Sequence, residues 1–598
     1  MAETLLSPGV LARETDQSFL TQQPVQAGAA ILGPTLLGPV EIPTLVTTYS
    51  DYLNKFGGSF LSGGVEYSFL TQISAYNYFQ NGGTSLLVTR VASGSWTSAT
   101  ASIGNFFSAS STTPLTNGAT GFNSASGGFT FTQSFVLSTI SEGDVMNSIS
   151  GSDSAIVYGL DSTNGSLASG SANNIRWQVT STDTSAGTFS ILIRQGNDDT
   201  NNTNVLETWA NLSLDPTQPN YISRVIGDQY RSFSSVDGAH IELNGQYPNQ
   251  SRYVYVSAVT NPTPNYFDNA GNAKPQYAKY LPVASSGSFG GAQGTIYTGD
   301  GKFYNNISSS DTQGLVGANY NNAISLMANQ DDYVFNVISV PGLTIADNAA
   351  QVTNLVNNIQ TRGDAIVVLD PRPYGDTVSE AVTSALTINS SYAATYWPWL
   401  MTIDPSTGQM VWVPASTMIP AVYAFNDSVS EPWFAPAGIN RGGLDTVVQA
   451  ERKLTQSQRN TLYVGNVNPI ATFPGTGVVV YGQKTLQKKA SALDRVNVRR
   501  LLIALKSYIS QVALNLVFEQ NTIATRNAFL SQVNPYLESV QQRQGLYAFR
   551  VIMDDSNNTP DVIDRNMMVG QIYLQPTKTA EFIYLDFNIL PTGATFPA

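Results

Sequence analysis

The 598-residue sequence has no cysteine and one histidine, His240. Absence of cysteine removes disulfide frameworks, thiolate-bound zinc, iron–sulfur clusters and thiol nucleophiles. A single imidazole excludes any two-histidine metal site and leaves little for acid–base catalysis. No catalytic residue, cofactor or metal is therefore expected, and the chain is not read as an enzyme. Charge is scarce too: 12% of residues are charged, whereas 42% are hydrophobic. Disordered chains show the opposite balance, so the profile suits a surface covered by partners or built from polar, uncharged β-structure. The net charge of -13 and a pI near 4.6 argue against nucleic acid as the main partner, because phosphate binding needs a basic footprint. No run of about 18 apolar residues occurs, and the opening Met1-Ala2-Glu3-Thr4-Leu5-Leu6 lacks a basic and then apolar targeting pattern. The expectation is a soluble protein made in the cytoplasm, with no direct membrane insertion.

What is present falls into segments, and three or four domains of about 150 residues are expected at this length. Residues 1–20 have no helical period and no room for a core, so an ordered role there requires a neighbouring surface. Across 21–92, Gly33-Pro34 and Gly38-Pro39 punctuate short apolar strands, and 45–47 reads as another. Ser50-Asp51 offers an N-cap to a short helix ending at Phe56-Gly57-Gly58. Val65, Phe69, Ile73, Tyr76 and Phe79 predict a longer helix stopped by Asn81-Gly82-Gly83, and 86–91 predicts a strand. Residues 93–310 are rich in Ser, Thr, Gly and Asn, with short alternating runs at 176–179 and 189–193, the pattern of one or two β-rich insertion domains. From 311 a strand at 333–340, a helix at 346–359 and an apolar strand at 365–370 indicate a largely parallel sheet covered on both faces. The fold class is thus α/β and α+β. One αβ core is formed by both chain ends around the insertion, with an αβ domain over 311–430, a C-terminal core over 431–588 and a tail over 589–598.

In the C-terminal core Asp494 is the candidate cap of a helix whose Val498, Leu501, Leu505, Ile509, Val512 and Leu516 share one face. Arg495, Arg499 and Lys506 form a separate basic stripe. A second helix begins near Thr522, Pro535 breaks or restarts it, and Gly545 ends it. Strands are predicted at 547–553, 571–574 and 581–587, where Phe582, Tyr584 and Asp586 alternate with Ile583, Leu585 and Phe587. From Arg441 onward there are 16 Lys and Arg against 11 Asp and Glu, a net +5 that leaves -18 on the remainder. A lone stripe reads as a solvated helix face, but concentrated positive charge in an otherwise acidic chain also fits an acidic partner surface. Other motifs fail physically. In Gly477 to Thr485 the lysine comes one residue too late for a phosphate loop, and Val478 to Tyr481 prefer a strand. Asp199-Thr200-Asn201 and Asp554-Asp555-Ser556-Asn557 open like calcium loops but lack the glycine and distal glutamate, so they read as solvated turns. His240 reads as a surface or strand residue, and no G-x-S-x-G elbow occurs.

Several phrases are recognisable together. They are Ser7-Pro8-Gly9-Val10, Gly33-Pro34 with Gly38-Pro39, Phe79-x-Asn81-Gly82-Gly83, and Trp433-Phe434-Ala435-Pro436-Ala437-Gly438-Ile439-Asn440-Arg441-Gly442. Further on stand Tyr481-Gly482-Gln483-Lys484-Thr485, Asp494-Arg495-Val496-Asn497-Val498-Arg499-Arg500-Leu501, Asn557-Asn558-Thr559-Pro560 and Asp564-Arg565-Asn566. In these the chain resembles the tail sheath proteins of contractile-tailed phages, over about 1–92 and 315–598, while 93–310 matches nothing recognisable. The resemblance implies a conserved core with outward-facing insertions, in which Pro436, Gly438, Asn440, Arg441, Asp494, Asn497, Arg500, Asp564 and Arg565 carry the family motifs. It implies stacked hexameric rings of this chain around a tail tube protein, rising from a baseplate, with tail terminator or neck proteins at the far end and the virion as location. It also implies terminal arms that add strands to neighbouring subunits, through Leu6, Ser7, Pro8, Gly9 and Val10 and through Phe582, Tyr584 and Asp586. Arg495, Arg499 and Lys506 become candidates for a tube-facing helix. The alternative from another class is a virion surface-binding module, for glycan or host contact, through 93–310.

Overall fold

The computed structural model describes residues 25–62, 65–108, 129–148, 165–167, 169–295 and 306–583. Its largest sheet takes strands from both sides of the insertion. These are β1 (Val25–Gly33), β2 (Thr44–Val46), β3 (Leu86–Arg90), β4 (Tyr333–Thr344), β5 (Ile366–Asp370), β6 (Ala393–Trp397), β7 (Val467–Phe473) and β8 (Gly477–Val480), in the spatial order β2-β3-β1-β4-β5-β6-β7-β8. The six inner strands run parallel, and β2 and β8 close the edges antiparallel. In β1, Ala30 lies opposite Leu87 on one side and Ile338 on the other, so chain segments about 250 residues apart make one sheet. Successive residues feed opposite cores. Ala30, Leu32, Leu87, Ile338 and Val367 face one, and Ala29, Ile31, Val88, Val337 and Val368 face the other. That double burial is why these strands read as unbroken apolar runs rather than alternating ones.

Helices cover both faces. On the second, α1 (Tyr49–Phe56) contributes Tyr52 and Phe56, and α2 (Leu70–Gln80) contributes Leu70 and Ile73. On the first, α3 (Ala349–Arg362) contributes Val352, Leu355, Val356 and Ile359 and ends on Gly363 at a left-handed φ of 74°. Two sequence expectations shift here. The cap of α1 is Thr48, whose hydroxyl accepts from the Asp51 amide at 3.0 Å, while Asp51 pairs with Lys55 at 2.9 Å. Val65 is not helical: Val65–Tyr67 pairs with Phe60–Ser62 as a small hairpin, and the helix begins only at Leu70. Tertiary pairing here overrides the three- and four-residue spacing.

Within 93–310, strands Ser98–Ser108, Phe129–Glu142 and Val254–Val259 form one antiparallel sheet, and Ile175–Asp183, Thr188–Gln195, Val205–Ser213 and Ser285–Ser288 form another. The two share a single core, with Phe135 of the first stacked on Phe189 of the second at 5.5 Å. Arg90, fully buried at the end of β3, ties this unit to the large sheet. Its guanidinium donates to the carbonyls of Gly38 (2.5 Å), Glu142 (2.9 Å) and Leu36 (3.2 Å) and lies 4.5 Å over the Trp96 ring. A hairpin of Tyr230–Ser234 and His240–Asn244 reaches back, packing Phe233 and Ile241 against the first core.

Candidate functional site

The C-terminal region is organised by two helices, α7 (Val496–Leu514) and α8 (Ile523–Gln542), after α4 (Val378–Ala385), α5 (Ile419–Val429) and α6 (Gln456–Val464) have completed the cover of the sheet. Along α7, Val496 and Ile503 face the sheet. Leu501, Leu505 and Val512 face α8, where they meet Phe529, Val533, Leu537 and Val540. Asp494 sits in a 3-10 turn (Ala492–Asp494) and the N-cap position is Arg495, so the helix starts one step later than the sequence suggests. Thr522 caps α8 through the Thr525 amide at 3.3 Å. Pro535 lies inside α8 without ending it, because buried residues two on either side, Val533 and Leu537, clamp the turn to α7. A two-stranded antiparallel hairpin follows, β9 (Leu546–Ile552) with β10 (Gln571–Pro576). Among the described residues neither strand has a second neighbour, and Tyr547 and Tyr573 are exposed on it.

The basic residues of α7 are set by aromatic and acidic partners. Arg495 grips Glu581 with two parallel bonds, Nε to Oε1 at 2.7 Å and Nη2 to Oε2 at 3.0 Å, and also meets Asp494 at 3.0 Å. Tyr463 donates its hydroxyl to the same carboxylate at 2.6 Å, and Gln483 donates at 3.0 Å. Burial pushes the Glu581 carboxyl up, but hydrogen bonds from Arg495, Tyr463 and Gln483 outweigh it and hold the group below its ordinary range. Arg499 turns inward: it is 4% exposed, lies 4.0 Å over the Tyr392 ring and donates to Ser391. Arg500, also buried, pairs with Asp427 at 2.5 Å over the Tyr423 ring. Lys506 is exposed, its ammonium 3.3 Å from the Tyr392 hydroxyl. The three stripe residues thus have different surroundings, and Lys506 alone among them is exposed.

The remaining motif residues frame the same region. Pro436 is buried, and Gly438, at a φ of 82°, donates its amide to the Val480 carbonyl at 2.8 Å, stitching 436–443 along β8. Asn440 is exposed, and Arg441 lies over Phe434 and donates to the Ala435 carbonyl at 3.2 Å. Asn497 is buried and donates to the Trp433 carbonyl at 3.3 Å. Asp564 and Arg565 are exposed, Arg565 pairing with Asp561 at 3.1 Å. Phe582 is 69% exposed and belongs to no strand, so a strand beginning at 581 is absent over the described residues 581–583. Leu6, Ser7, Pro8, Gly9, Val10, Tyr584 and Asp586 lie outside the described residues. Glu581, Tyr463, Gln483 and Tyr392 are the participants that sequence reading misses. Glu581 meets Arg495 and Tyr463 across 86 and 118 positions, and nothing local in the sequence announces such contacts.

Asp199 and Asp554 are turn residues, their carboxylates accepting from backbone amides two residues ahead at 2.7 and 2.9 Å. Among the described residues no group of three or more acidic or histidine side chains is placed to hold a metal, and no helix is long and apolar enough to cross a membrane.

These features define a class: a discontinuous α/β domain, carrying a β-sandwich between its strands and a helix-pair module with an open hairpin at its end. Comparison with known proteins specifies it. Residues 313–486 match the phage tail sheath protein central domain, and residues 488–590 match the phage tail sheath C-terminal domain. The chain therefore carries, in succession, matches to two phage tail sheath domains over residues 313–590. It is 39% identical over 267 residues to the tail sheath protein of Vibrio phage KVP40, covering 45% of this chain and 38% of that protein. With the tail sheath protein of Enterobacteria phage T4 it shares 38% identity over 209 residues, 35% of this chain and 32% of the relative. The matched regions thus span about a third of the length of each of these relatives. In fold it is similar to the sheath tail protein of Listeria innocua, with a TM-score of 0.50 at 9% identity over 92% of this chain and 96% of that one.

Proposed function

We propose that the chain is the subunit of a contractile phage tail sheath. Copies stack as hexameric rings around a tail tube, from a baseplate to terminator or neck proteins, and the sleeve shortens to drive the tube through the host envelope. The observation that carries this reading is the succession of central and C-terminal sheath domains over 313–590. The hairpin of β9 and β10 supports it physically, because a two-stranded sheet with unpaired edges is marginal alone and gains backbone hydrogen bonds when an extended segment is added. Residues 1–20 and the chain beyond Phe582 supply such segments to neighbouring subunits. Contraction is then a rearrangement of packed subunits into a lower-energy lattice, with the arms preserving connectivity and no nucleotide consumed. A small gain per subunit, summed over many copies, supplies the work. Arg495, Arg499 and Lys506 belong to the tube-facing side of this proposal, with Lys506 the group positioned to meet an acidic tube surface. Negative-stain microscopy of the purified chain tests the reading: regularly striated sleeves are expected, and particles that stay monomeric at every concentration, with or without tube, would overturn it.

A further inference from the structure

Beyond the β9–β10 hairpin the chain does not leave the molecule at once. The Thr577 amide donates to the Gly545 carbonyl at 3.2 Å, and its hydroxyl donates to the Gln544 carbonyl at 2.8 Å. Gln483 donates to the Thr579 hydroxyl at 2.6 Å and to Glu581 at 3.0 Å. At Glu581 the stitching culminates in one carboxylate that accepts four bonds from Arg495, Tyr463 and Gln483, all within 3.0 Å. Tyr463 is itself braced from below, since Lys484 lies 4.6 Å over its ring and donates to its carbonyl at 2.7 Å. Immediately afterwards the described side chains are open: Phe582 and Ile583 are 69% and 76% exposed.

The geometry points to Glu581 as a clamp that fixes where and in which direction the C-terminal arm departs. Residues 577–581 are a seated strap, and Glu581 is its terminal buckle, a positioning residue whose partners come from α6, the loop after β8 and the cap of α7. A carboxylate bound by a bidentate guanidinium, a phenol and an amide resists displacement far better than a single surface ion pair, because each bond is charge-assisted and orients the others. A neighbouring subunit that accepts the arm receives it from a fixed exit point, which removes ordering cost from each joint. The consequence for assembly rests on the sheath reading; the clamp itself is a property of the single chain.

Lys578, exposed within the strap, allows the clamp to be read by trypsin in the full-length monomer, with cleavage at the exposed Arg565 as internal reference. In Glu581→Ala, cleavage at Lys578 is expected to run at least about tenfold faster than in the parent while cleavage at Arg565 is unchanged, because the variant forfeits all four bonds to the carboxylate. Tyr463→Phe, which removes one bond and keeps the ring, is expected to fall between. Circular dichroism establishes that each variant is folded. The critical concentration for sleeve formation is expected to rise about tenfold in Glu581→Ala by the same loss. Unchanged Lys578 cleavage in folded Glu581→Ala would overturn the clamp, and faster cleavage with no change in critical concentration would overturn its consequence for assembly. A chain truncated after Ile583 separates the two ideas: if it forms sleeves as the parent does, the arm-exchange reading fails, whereas the Lys578 result judges the clamp alone.

Discussion

Asp370 closes β5 with its carboxylate fully enclosed, one oxygen accepting from the Ser416 amide at 2.9 Å and the other from the Ser416 hydroxyl at 2.5 Å. Burial raises its pKa to about 7, against which the two Ser416 bonds act weakly. The folded state therefore binds this proton more tightly than the unfolded chain does. The stabilisation is full below the unfolded carboxylate range and is lost as pH rises through about 7. Asp370→Asn keeps an acceptor for the amide and a donor for the hydroxyl without the charge. It is expected to flatten the pH dependence of stability between 4 and 7 and to exceed the parent by a few kcal/mol at about pH 8, read by urea unfolding at the two ends. A variant with the parent's slope would contradict this. Arg90 is the opposite case. Burial pulls its guanidinium down to about 9, with Glu142 and Asp144 acting to hold it up, so it stays charged at neutral pH and keeps three carbonyls satisfied. Arg90→Met removes the guanidinium's bonds to those carbonyls from a closed joint, leaving Gly38 only the Glu142 amide at 3.3 Å, and is expected to cost about 3 kcal/mol or more. Differential scanning calorimetry should then show the 93–310 unit melting apart from the large sheet.

Elements were legible wherever local pattern and tertiary context agree. The apolar runs of β3 and β5 and the apolar face of α7 read directly from spacing, because a strand buried on both sides and a helix buried on one leave different periods. They were not legible where packing outweighs propensity. Val65 lies on a strand because its chain folds back on Phe60–Ser62, and α8 survives Pro535 because its apolar residues continue through it. The same residue gives a test. A proline inside a helix forfeits one backbone bond and crowds the preceding turn, so Pro535→Ala is expected to stabilise the chain by about 1–3 kcal/mol. Leu537→Ala, two residues on and fully buried, is expected to cost about 2–5 kcal/mol. Urea midpoints that move the same way for both would show that Pro535 is required for the α7–α8 packing rather than endured by it.

On the whole molecule, charge is distributed so that assembly and self-repulsion do not conflict. Only 12% of residues are charged, and the region from Arg441 onward carries +5 against -18 elsewhere, so under the proposed function the C-terminal region is the part suited to an acidic partner. Sequence alone locates this asymmetry but not its working members. Arg495 is engaged by Glu581 and Arg499 by Tyr392, contacts made across 86 positions and more, and Lys506 keeps its ammonium at the surface. Reversing Arg495 or Arg499 would therefore disturb the fold as well as any interface. Lys506→Glu isolates the electrostatic term. If the basic region meets the tube, the yield of parent sleeves around preformed tubes falls as salt rises from about 0.05 to 0.5 M, where the screening length shrinks to a few ångströms. Lys506→Glu is expected to start from a lower yield and to lose less of it over that range, because it removes one attraction and adds one repulsion to the part that salt screens. Deletion of residues 2–20 serves as the contrasting variant, since it is expected to abolish polymerisation at every salt concentration while leaving a folded monomer. Parent sleeves whose yield does not change with salt would remove Lys506 from the interface and leave the arms as the principal source of cohesion.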